Sequence, residues 1–270
     1  MAAAIFAHPE TTTDAFLGGR FVAVQPADGR HRAGLEALLL AAAVERSFAG
    51  AVVDLGAGAG VAGLAVAARC PGARVVLVER DPIAIACARA TLALPVNRRL
   101  ADRVTIVAAD ISASETERAA AGLARASAEA VIVNPPFHAP GFGTASPNAD
   151  RAEAHVLAGG GLDPWLRTAA SLLESRGRLF AVFRADGLEA LLAACHGRFG
   201  AIDVLPIHPR VHQPARRVLI GAVKGSRAGL RLLPGFVLHP PDSSGYTPEA
   251  EAVMRDGADL VAAGRARRGE

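Results

Sequence analysis

The sequence has few of the residues that mark a metal site, a disulfide framework or a membrane span. Its three cysteines, Cys70, Cys87 and Cys195, are dispersed and lie in apolar contexts. This pattern predicts buried free thiols in a reducing compartment and no bound metal. No apolar run approaches the roughly 18 residues that a membrane helix needs, and the start lacks the basic region of a signal peptide. We therefore expect a cytoplasmic protein with no membrane partner.

Lysine is almost absent from the chain. Lys224 is the only lysine, so nearly all of the positive charge is arginine, and the formal net charge is only +3. Guanidinium groups suit phosphates, which indicates contact with nucleic acid. The abundance of alanine, glycine and arginine together also fits a compositional bias, such as that of a GC-rich genome. We take this bias as the main cause of the high total number of arginines. Local arginine clusters remain candidates for contacts with nucleic acid.

Apolar runs alternate with helical patterns through the middle of the chain. Three strands are predicted at 51–55, 73–79 and 103–108, and helices follow the first two of them. Such alternation predicts a parallel sheet with helices on both faces. Later strands at 202–207 and 218–223 have no helix between them, so we expect that pair to be antiparallel.

The flanking segments differ from this core. We expect an amino-terminal hairpin and helix at 1–50, the core at 51–225, and a carboxyl-terminal extension at 226–270 that carries a helix and a basic tail. The hairpin is predicted to turn at Gly18-Gly19, and the last helix is predicted to be capped by Thr247. We expect all three segments to form one structural domain.

A short apolar strand ends at Asn134-Pro135-Pro136-Phe137. Because proline lacks a backbone N–H, the two prolines cannot extend the strand. The chain therefore leaves the sheet rigidly, with a polar side chain and an aromatic ring held at the strand tip. This arrangement suits a planar amine, although a stiff turn that uses asparagine as a turn residue explains these four residues alone equally well.

Polar residues and glycines also stand at the ends of the first three core strands, where ligands bind in open α/β sheets. They are Asp54, Gly56, Gly58 and Gly60 after the first strand, Glu79 after the second, and Asp110 after the third. The glycines permit a sharp turn and close backbone approach to a ligand. Glu79 stands where a ribose-binding acid is expected, and Asp110 is suited to accept a hydrogen bond from an adenine amino group. Each acid can equally be a helix cap or a solvated turn residue.

The segment from Asp54 to Gly60 resembles motif I of the class I S-adenosylmethionine-dependent methyltransferases. With Asn134-Pro135-Pro136-Phe137 after the fourth strand, the chain is similar to the amino-methyltransferases of that class, whose signature is (Asn/Asp/Ser)-Pro-Pro-(Tyr/Phe/Trp). Over nearly its full length it resembles the bacterial tRNA1(Val) (adenine37-N6)-methyltransferase family. The segments that carry this last resemblance are 12–20, 25–26, 32–40, 206–224 and 245–249.

The resemblance implies a fold, a cofactor, a partner and a set of site residues. The fold is α/β and Rossmann-like, with a seven-stranded, mostly parallel sheet whose last strand is antiparallel and with helices on both faces. The cofactor is S-adenosylmethionine, and the partner is tRNA. The implied catalytic residues are Asn134, Pro135, Pro136 and Phe137, and the implied cofactor-binding residues are Asp54, Gly56, Gly58, Gly60, Glu79, Asp110 and Asn134. The arginines that we expect to contact RNA are Arg20, Arg32, Arg210, Arg216 and Arg217.

Several other functions use parts of the same pattern. A protein-glutamine N5-methyltransferase shares the Asn-Pro-Pro-aromatic motif, but such enzymes usually carry an amino-terminal helical domain, and here the first core strand already begins at Ala51. A DNA-adenine enzyme would need room for a recognition domain. A nicotinamide dehydrogenase would carry a different glycine loop. A non-catalytic RNA-binding subunit remains an alternative, and the sequence leaves open whether the protein is a monomer or a homodimer.

Overall fold

The computed structural model describes residues 10–27, 33–136 and 161–260. In chain order, its elements are β1 (Thr11–Phe16), β2 (Phe21–Pro26), α1 (Leu35–Ala43), β3 (Ala51–Leu55), α2 (Val61–Arg69), β4 (Arg74–Glu79), α3 (Pro82–Ala93), α4 (Arg98–Ala101), β5 (Val104–Ala108), α5 (Glu115–Ala120), β6 (Ala128–Val133), α6 (Asp163–Leu172), β7 (Leu173–Arg184), α7 (Leu188–Cys195), β8 (Phe199–Arg210), β9 (Arg217–Lys224), β10 (Arg231–Leu232), β11 (Phe236–His239) and α8 (Pro248–Met254).

The central sheet has the strand order β5-β4-β3-β6-β7-β9-β8, and β10 and β11 both pair with the outer edge of β8. Strands β3 to β7 pair in parallel, whereas β9 is antiparallel to both of its neighbours. The mixed α/β fold is therefore confirmed. The antiparallel strand was expected as the last of seven, and it is β9, the seventh strand of this sheet in chain order. The expected number of strands, seven, is wrong, because the sheet has nine. The long β8 would otherwise expose an edge of unpaired backbone groups, and the two short strands cover it.

The amino-terminal hairpin is confirmed, and it forms a separate two-stranded sheet. The outer edge of β2 pairs with side chains instead of a strand. The Val24 N–H donates to Thr91 Oγ1 at 2.8 Å, and Asn97 both accepts from and donates to the backbone of Val22. Val24 also packs against Ala59 of the glycine loop and Cys87 of α3. The hairpin is thus fixed against the segment in which the cofactor motif was predicted.

Helix α1 is buried on every side over most of its length. Every residue from Ala37 to Ala43 is buried. The helix lies among α2, β7 and α8. Arg69, the last residue of α2, donates to the Ala41 carbonyl of α1, to the Val44 carbonyl directly after it and to the Gly257 carbonyl beyond α8. This guanidinium joins three segments at the end of α2 that is remote from the glycine loop.

Several smaller features of the fold concern the helix ends, the cysteines and the length of the helices. Asp163 lies inside the first turn of α6, whose cap position is Leu162. The Thr247 hydroxyl caps α8 as expected and accepts from the Ala250 N–H at 3.2 Å. The three cysteines are free and buried, as predicted. Among the described residues, no helix has both the length and the apolar character that crossing a bilayer requires.

Candidate active site

Four strand ends meet at the carboxyl edge of the sheet. Leu55 of β3 is paired with Val78 of β4 on one side and with Val133 of β6 on the other. Adjacent strands are about 4.8 Å apart, so the residues that follow these positions are close neighbours. The structure therefore brings the glycine loop, the end of β4 and Asn134 together, and the end of β5 is one strand further along.

The three glycines of the loop have the conformation that their residue type permits. Gly56, Gly58 and Gly60 have φ angles of 67°, 57° and 86°, in the left-handed region that favours glycine. A Cβ on Gly60 would lie 2.6 Å from Leu77 Cδ1, so this glycine allows the loop to approach β4 closely. A Cβ on Gly58 would meet nothing within 4 Å, which means that this part of the loop faces open space.

Asp54 lies beneath this loop and is buried. Its Oδ2 accepts a hydrogen bond from the Gly63 N–H at 2.8 Å, in the first turn of α2. Burial raises the pKa of Asp54 from 3.8 to about 7, against the opposing effect of the Gly63 N–H and with a further rise from the charge of Glu79. The site thus contains a buried carboxyl group whose negative charge is destabilised when no cation is near.

Glu79 connects the glycine loop to the start of α3. Its Oε2 accepts from the Gly58 N–H at 2.8 Å, and its Oε1 accepts from the N–H groups of Arg80 and Asp81 at 2.7 and 2.9 Å. A carboxylate oxygen accepts two hydrogen bonds, so Oε2 can receive one more donor. The carboxylate is therefore held in a fixed position with one acceptor position left for a ligand.

Asp110 is held in place by its own loop and by Arg80. Its Oδ1 accepts from the Ser112 backbone and hydroxyl, and its Oδ2 pairs with Arg80 Nη1 at 2.9 Å. Partial burial acts to raise the pKa of Asp110, but the bonds from Ser112 and Arg80 outweigh it and lower the pKa to about 2. This carboxylate is therefore ionised at any physiological pH. Sequence reasoning missed Arg80, which appeared only as a residue between a strand and a helix cap.

Asn134 provides the most unusual atom of the site. Its side-chain Oδ1 is buried and has no hydrogen-bond partner within residues 10–27, 33–136 and 161–260. Leaving a buried acceptor unsatisfied costs about 1–3 kcal/mol, so such an atom indicates a place where a ligand donates. Pro135 beside it is buried and Pro136 is partly exposed. Phe137 lies outside the described residues.

Trp165 is a site residue that sequence reasoning missed. Its indole packs on the first loop glycine, because a Cβ on Gly56 would lie 2.5 Å from Trp165 Cη2. Three residues along the same helical face, the Thr168 hydroxyl donates to the Ile111 carbonyl at 2.8 Å. One face of α6 therefore contacts both the loop after β3 and the loop after β5. No local pattern around Trp165 indicated this contact.

The arginines expected to contact RNA have different positions. Arg217, the first residue of β9, lies opposite Arg184, the last residue of β7, so the 211–216 turn lies at the carboxyl edge. Arg216 in this turn is exposed, while Arg217 forms an ion pair with Glu36 at 3.0 Å. Arg210 donates to three backbone carbonyls, those of Pro240, Pro241 and Ser243, so its guanidinium has a structural role.

The two other arginines expected to contact RNA are Arg20 and Arg32. Arg20 lies beside Gly257, near the end of α2 that is remote from the glycine loop, because a Cβ on Gly257 would lie 3.4 Å from its Nη1. The structure therefore does not bring Arg20 to the carboxyl edge. Arg32 is outside the described residues. Within the described ranges, no group of three or more His, Cys, Asp or Glu side chains is arranged to hold a metal ion.

Comparison with curated proteins finds relatives of similar length. A tRNA1(Val) (adenine(37)-N6)-methyltransferase from Porphyromonas gingivalis is 30% identical over 193 residues, which cover 70% of this chain and 72% of that protein. An enzyme of the same name from Dickeya chrysanthemi is 28% identical over 230 residues, which cover 83% of this chain and 87% of that protein.

Solved structures and a protein-family model also show similarity to methyltransferases. A protein from Agrobacterium tumefaciens described as a predicted O-methyltransferase has a TM-score of 0.71 and 34% identity, covering 83% of this chain and 97% of its own. The T. thermophilus 16S rRNA N2 G1207 methyltransferase, solved with AdoMet and guanosine, shares the fold, with a TM-score of 0.52 and 22% identity over 83% of this chain and 52% of its own. The model of the methyltransferase small domain family matches residues 32–203. This range includes the glycine loop and the described residues at the three other strand ends. The chain therefore belongs to the methyltransferase small domain family.

Proposed function

We propose that this chain transfers a methyl group from S-adenosylmethionine to an exocyclic amino group, N6 of an adenine in tRNA, and that it does so in the cytoplasm. Its family makes it a methyltransferase, and the names of its curated relatives supply the tRNA and the adenine. The single observation that supports an amino group as the target is the buried Oδ1 of Asn134, which has no hydrogen-bond partner in the part of the chain that the structure describes. An acceptor in that position suits a group that presents N–H donors.

The carboxyl edge fits S-adenosylmethionine, which supplies an electrophilic methyl group on a sulfonium. Glu79 retains an acceptor position for a ribose hydroxyl, and the space in front of Gly58 is open. The buried carboxyl of Asp54 suits the positive charge of the cofactor, and Asp110 suits its adenine amino group. The residues that we propose to hold the cofactor are Asp54, Gly56, Gly58, Gly60, Glu79, Asp110 and Asn134.

The chemistry requires the chain to orient a weak nucleophile. The lone pair of an exocyclic amino group is conjugated with the ring. Asn134 Oδ1 and the Pro135 carbonyl accept the two amino hydrogens, which draws the lone pair out of conjugation and directs it along the line of transfer. Pro135 and Pro136 keep these acceptors rigid, and Phe137 stacks on the planar base. The proton is acidic once the nitrogen is methylated, so no dedicated base is needed.

Two alternatives are less well supported. Transfer to a hydroxyl, as the description of the Agrobacterium tumefaciens protein suggests for that protein, needs a group that removes the hydroxyl proton. The amide of Asn134 cannot act as that base. Transfer to a protein glutamine would use the same Asn134 acceptor, but the named curated relatives do not favour it.

The proposed function is tested by nucleoside mass spectrometry of bulk tRNA. We expect N6-methyladenosine to fall in a strain that lacks the gene, to return with the wild-type gene, and to stay low with the Asn134→Ala gene at equal protein level. Purified enzyme with labelled S-adenosylmethionine and tRNA from the deletion strain should reproduce the result. Unchanged N6-methyladenosine in the deletion strain would point to another substrate.

Trp165 provides a second test, of the cofactor site alone. It is the only tryptophan in the chain, so its emission reports on the surroundings of Gly56. We expect S-adenosylmethionine to change this emission, because a bound cofactor excludes water from the partly buried indole. Trp165→Ala should weaken cofactor binding roughly 5- to 30-fold through lost apolar contact, while Trp165→Phe should weaken it far less. Calorimetric saturation without any change in emission would place Trp165 away from the cofactor.

A further inference from the structure

A second surface lies on the carboxyl edge, away from Asn134. Strand β11 pairs in parallel with β8, with His239 opposite Arg210, so both strands end at the same edge as β7 and β6. Along the sheet, β11 is four strand spacings from β6. Four spacings of about 4.8 Å separate the two strands across the sheet, and His239 lies five residues further along the strand direction than Asn134, at about 3.3 Å for each residue. The end of β11 is therefore roughly 25 Å from Asn134. A few unpaired nucleotides of an RNA strand span this distance.

The surface carries a stacked pair of rings. The ring centroids of His239 and Tyr246 are 5.1 Å apart and their planes differ by 16°. Tyr246 is the only tyrosine in the chain, and 39% of it is exposed. The exposed part of the Tyr246 ring is available to a flat partner.

The backbone around Tyr246 is fixed by several hydrogen bonds. Arg210 Nη1 binds the carbonyls of Pro240, Pro241 and Ser243, which fixes the turn after β11. Thr247 donates its N–H to the Leu238 carbonyl at 2.8 Å and its hydroxyl to the Val237 carbonyl at 2.9 Å. The ring of His239 is held through Nδ1, 2.8 Å from the Gly245 carbonyl. A partner that stacks here meets a preorganised surface and loses little affinity to ordering it.

Charge contributes less than stacking at this surface. Arg216 is exposed in the neighbouring turn, but the exposed Asp242 and Glu249 lie in and just after the segment that carries Tyr246. Arg217 is paired with Glu36 and Arg210 is bound to carbonyls. The surface is therefore nearly neutral, which favours a partner that binds through a ring face over one that binds through phosphate alone.

We propose that the His239–Tyr246 pair, which we name the stacking platform, binds an unpaired base of the RNA substrate a few nucleotides from the target adenine. The inference rests on the proposed function, since it takes RNA as the substrate. Bases stack on aromatic side chains regardless of their sequence, and each such contact is worth about 1–3 kcal/mol by alanine substitution. The platform therefore anchors the strand, while the Asn134 site selects the amine.

The test compares tRNA binding by Tyr246→Ala, Tyr246→Phe and wild type at fixed salt. We expect Tyr246→Ala to raise the Kd and the KM for tRNA about 5- to 150-fold, which is 1–3 kcal/mol. The turnover at saturating tRNA, the Kd for S-adenosylmethionine and the melting temperature should stay unchanged. Tyr246→Phe should bind tRNA within about twofold of wild type, because it keeps the ring. Leu232→Ala is the matched control, since Leu232 is an exposed apolar residue on β10, further from the carboxyl edge.

Abasic RNA identifies the partner of the platform. A set of RNA stem-loops with one abasic nucleotide at each loop position should contain a position that weakens binding to wild type but not to Tyr246→Ala. Wild-type tRNA affinity in Tyr246→Ala, or an equal loss in Tyr246→Phe, would overturn the platform while leaving the proposed function in place. Failure of the wild-type enzyme to bind or methylate tRNA would overturn both.

Discussion

Replacing Asn134 with alanine is expected to lower turnover on tRNA about 10²- to 10³-fold, with a much smaller change in the affinity for S-adenosylmethionine. The reason is that the buried Oδ1 has no partner among the described residues, so its hydrogen bond is available to the amino group that reacts. Removing one preorganised group of this kind from a site typically costs roughly 3–4 kcal/mol in the transition state. Single-turnover kinetics at saturating cofactor, with calorimetry for cofactor binding, measure the two effects separately.

The same substitution has a second readout that does not depend on activity. Alanine removes an unsatisfied buried acceptor. The free energy of unfolding of the ligand-free Asn134→Ala protein should therefore equal that of wild type or exceed it by up to about 1 kcal/mol. Asn134→Asp is the control that keeps an acceptor oxygen, and it should retain far more turnover than alanine. A loss of stability together with undiminished turnover in Asn134→Ala would show that Asn134 is an ordinary turn residue.

Replacing Asp54 with asparagine is expected to stabilise the ligand-free protein at alkaline pH and to weaken cofactor binding. The pKa of Asp54 is about 7 in the folded protein, against an ordinary value of 3.8. The folded state therefore binds a proton more tightly than the unfolded state between about pH 4 and pH 7. Stability falls as the pH rises through that window, and the loss is complete above pH 7. Asparagine cannot ionise, and its side-chain oxygen can still accept from the Gly63 N–H.

Urea unfolding from pH 4.5 to 8.5 measures this difference. We expect Asp54→Asn to gain on the order of 2–4 kcal/mol over wild type at pH 8 and to lose that advantage near pH 4.5. Its Kd for S-adenosylmethionine at pH 8 should rise about tenfold or more, since a charged acceptor is lost. The matched control is Asp242→Asn at an exposed position, which should keep the pH dependence of wild type. Parallel curves for wild type and Asp54→Asn would contradict the raised pKa.

The strand ends were predictable because their chemistry is local. A strand that stops at two prolines, or at a glycine run before a helix, defines its own geometry, and the parallel sheet then brings those ends together. The edge strands β10 and β11 were not counted, because their pairing depends on how much of β8 remains uncovered. Trp165 was missed because its contact with Gly56 joins residues far apart in the chain.

The arginines are a second example of contacts that the sequence could not predict. Arg20 and Arg210 resembled other basic residues in the sequence. Only the packing of the hairpin turn against the segment around Gly257 places Arg20 far from the site. Similarly, only the pairing of β11 with β8 brings the carbonyls of Pro240 and Ser243 to Arg210. The role of a long, flexible side chain depends on its distant neighbours, which a local pattern does not contain.

The buried guanidinium of Arg69 affects the order in which the chain can fold during synthesis. Its side chain has no exposed surface, and two of its partners, the Gly257 carbonyl and the Asp259 carboxylate, come from the last part of the described chain. Until that part has left the ribosome, the end of α2 holds a cation without its full set of acceptors, which is costly in an apolar setting. We therefore expect the nascent sheet to remain open to chaperones and proteases until the segment that carries Gly257 and Asp259 has emerged.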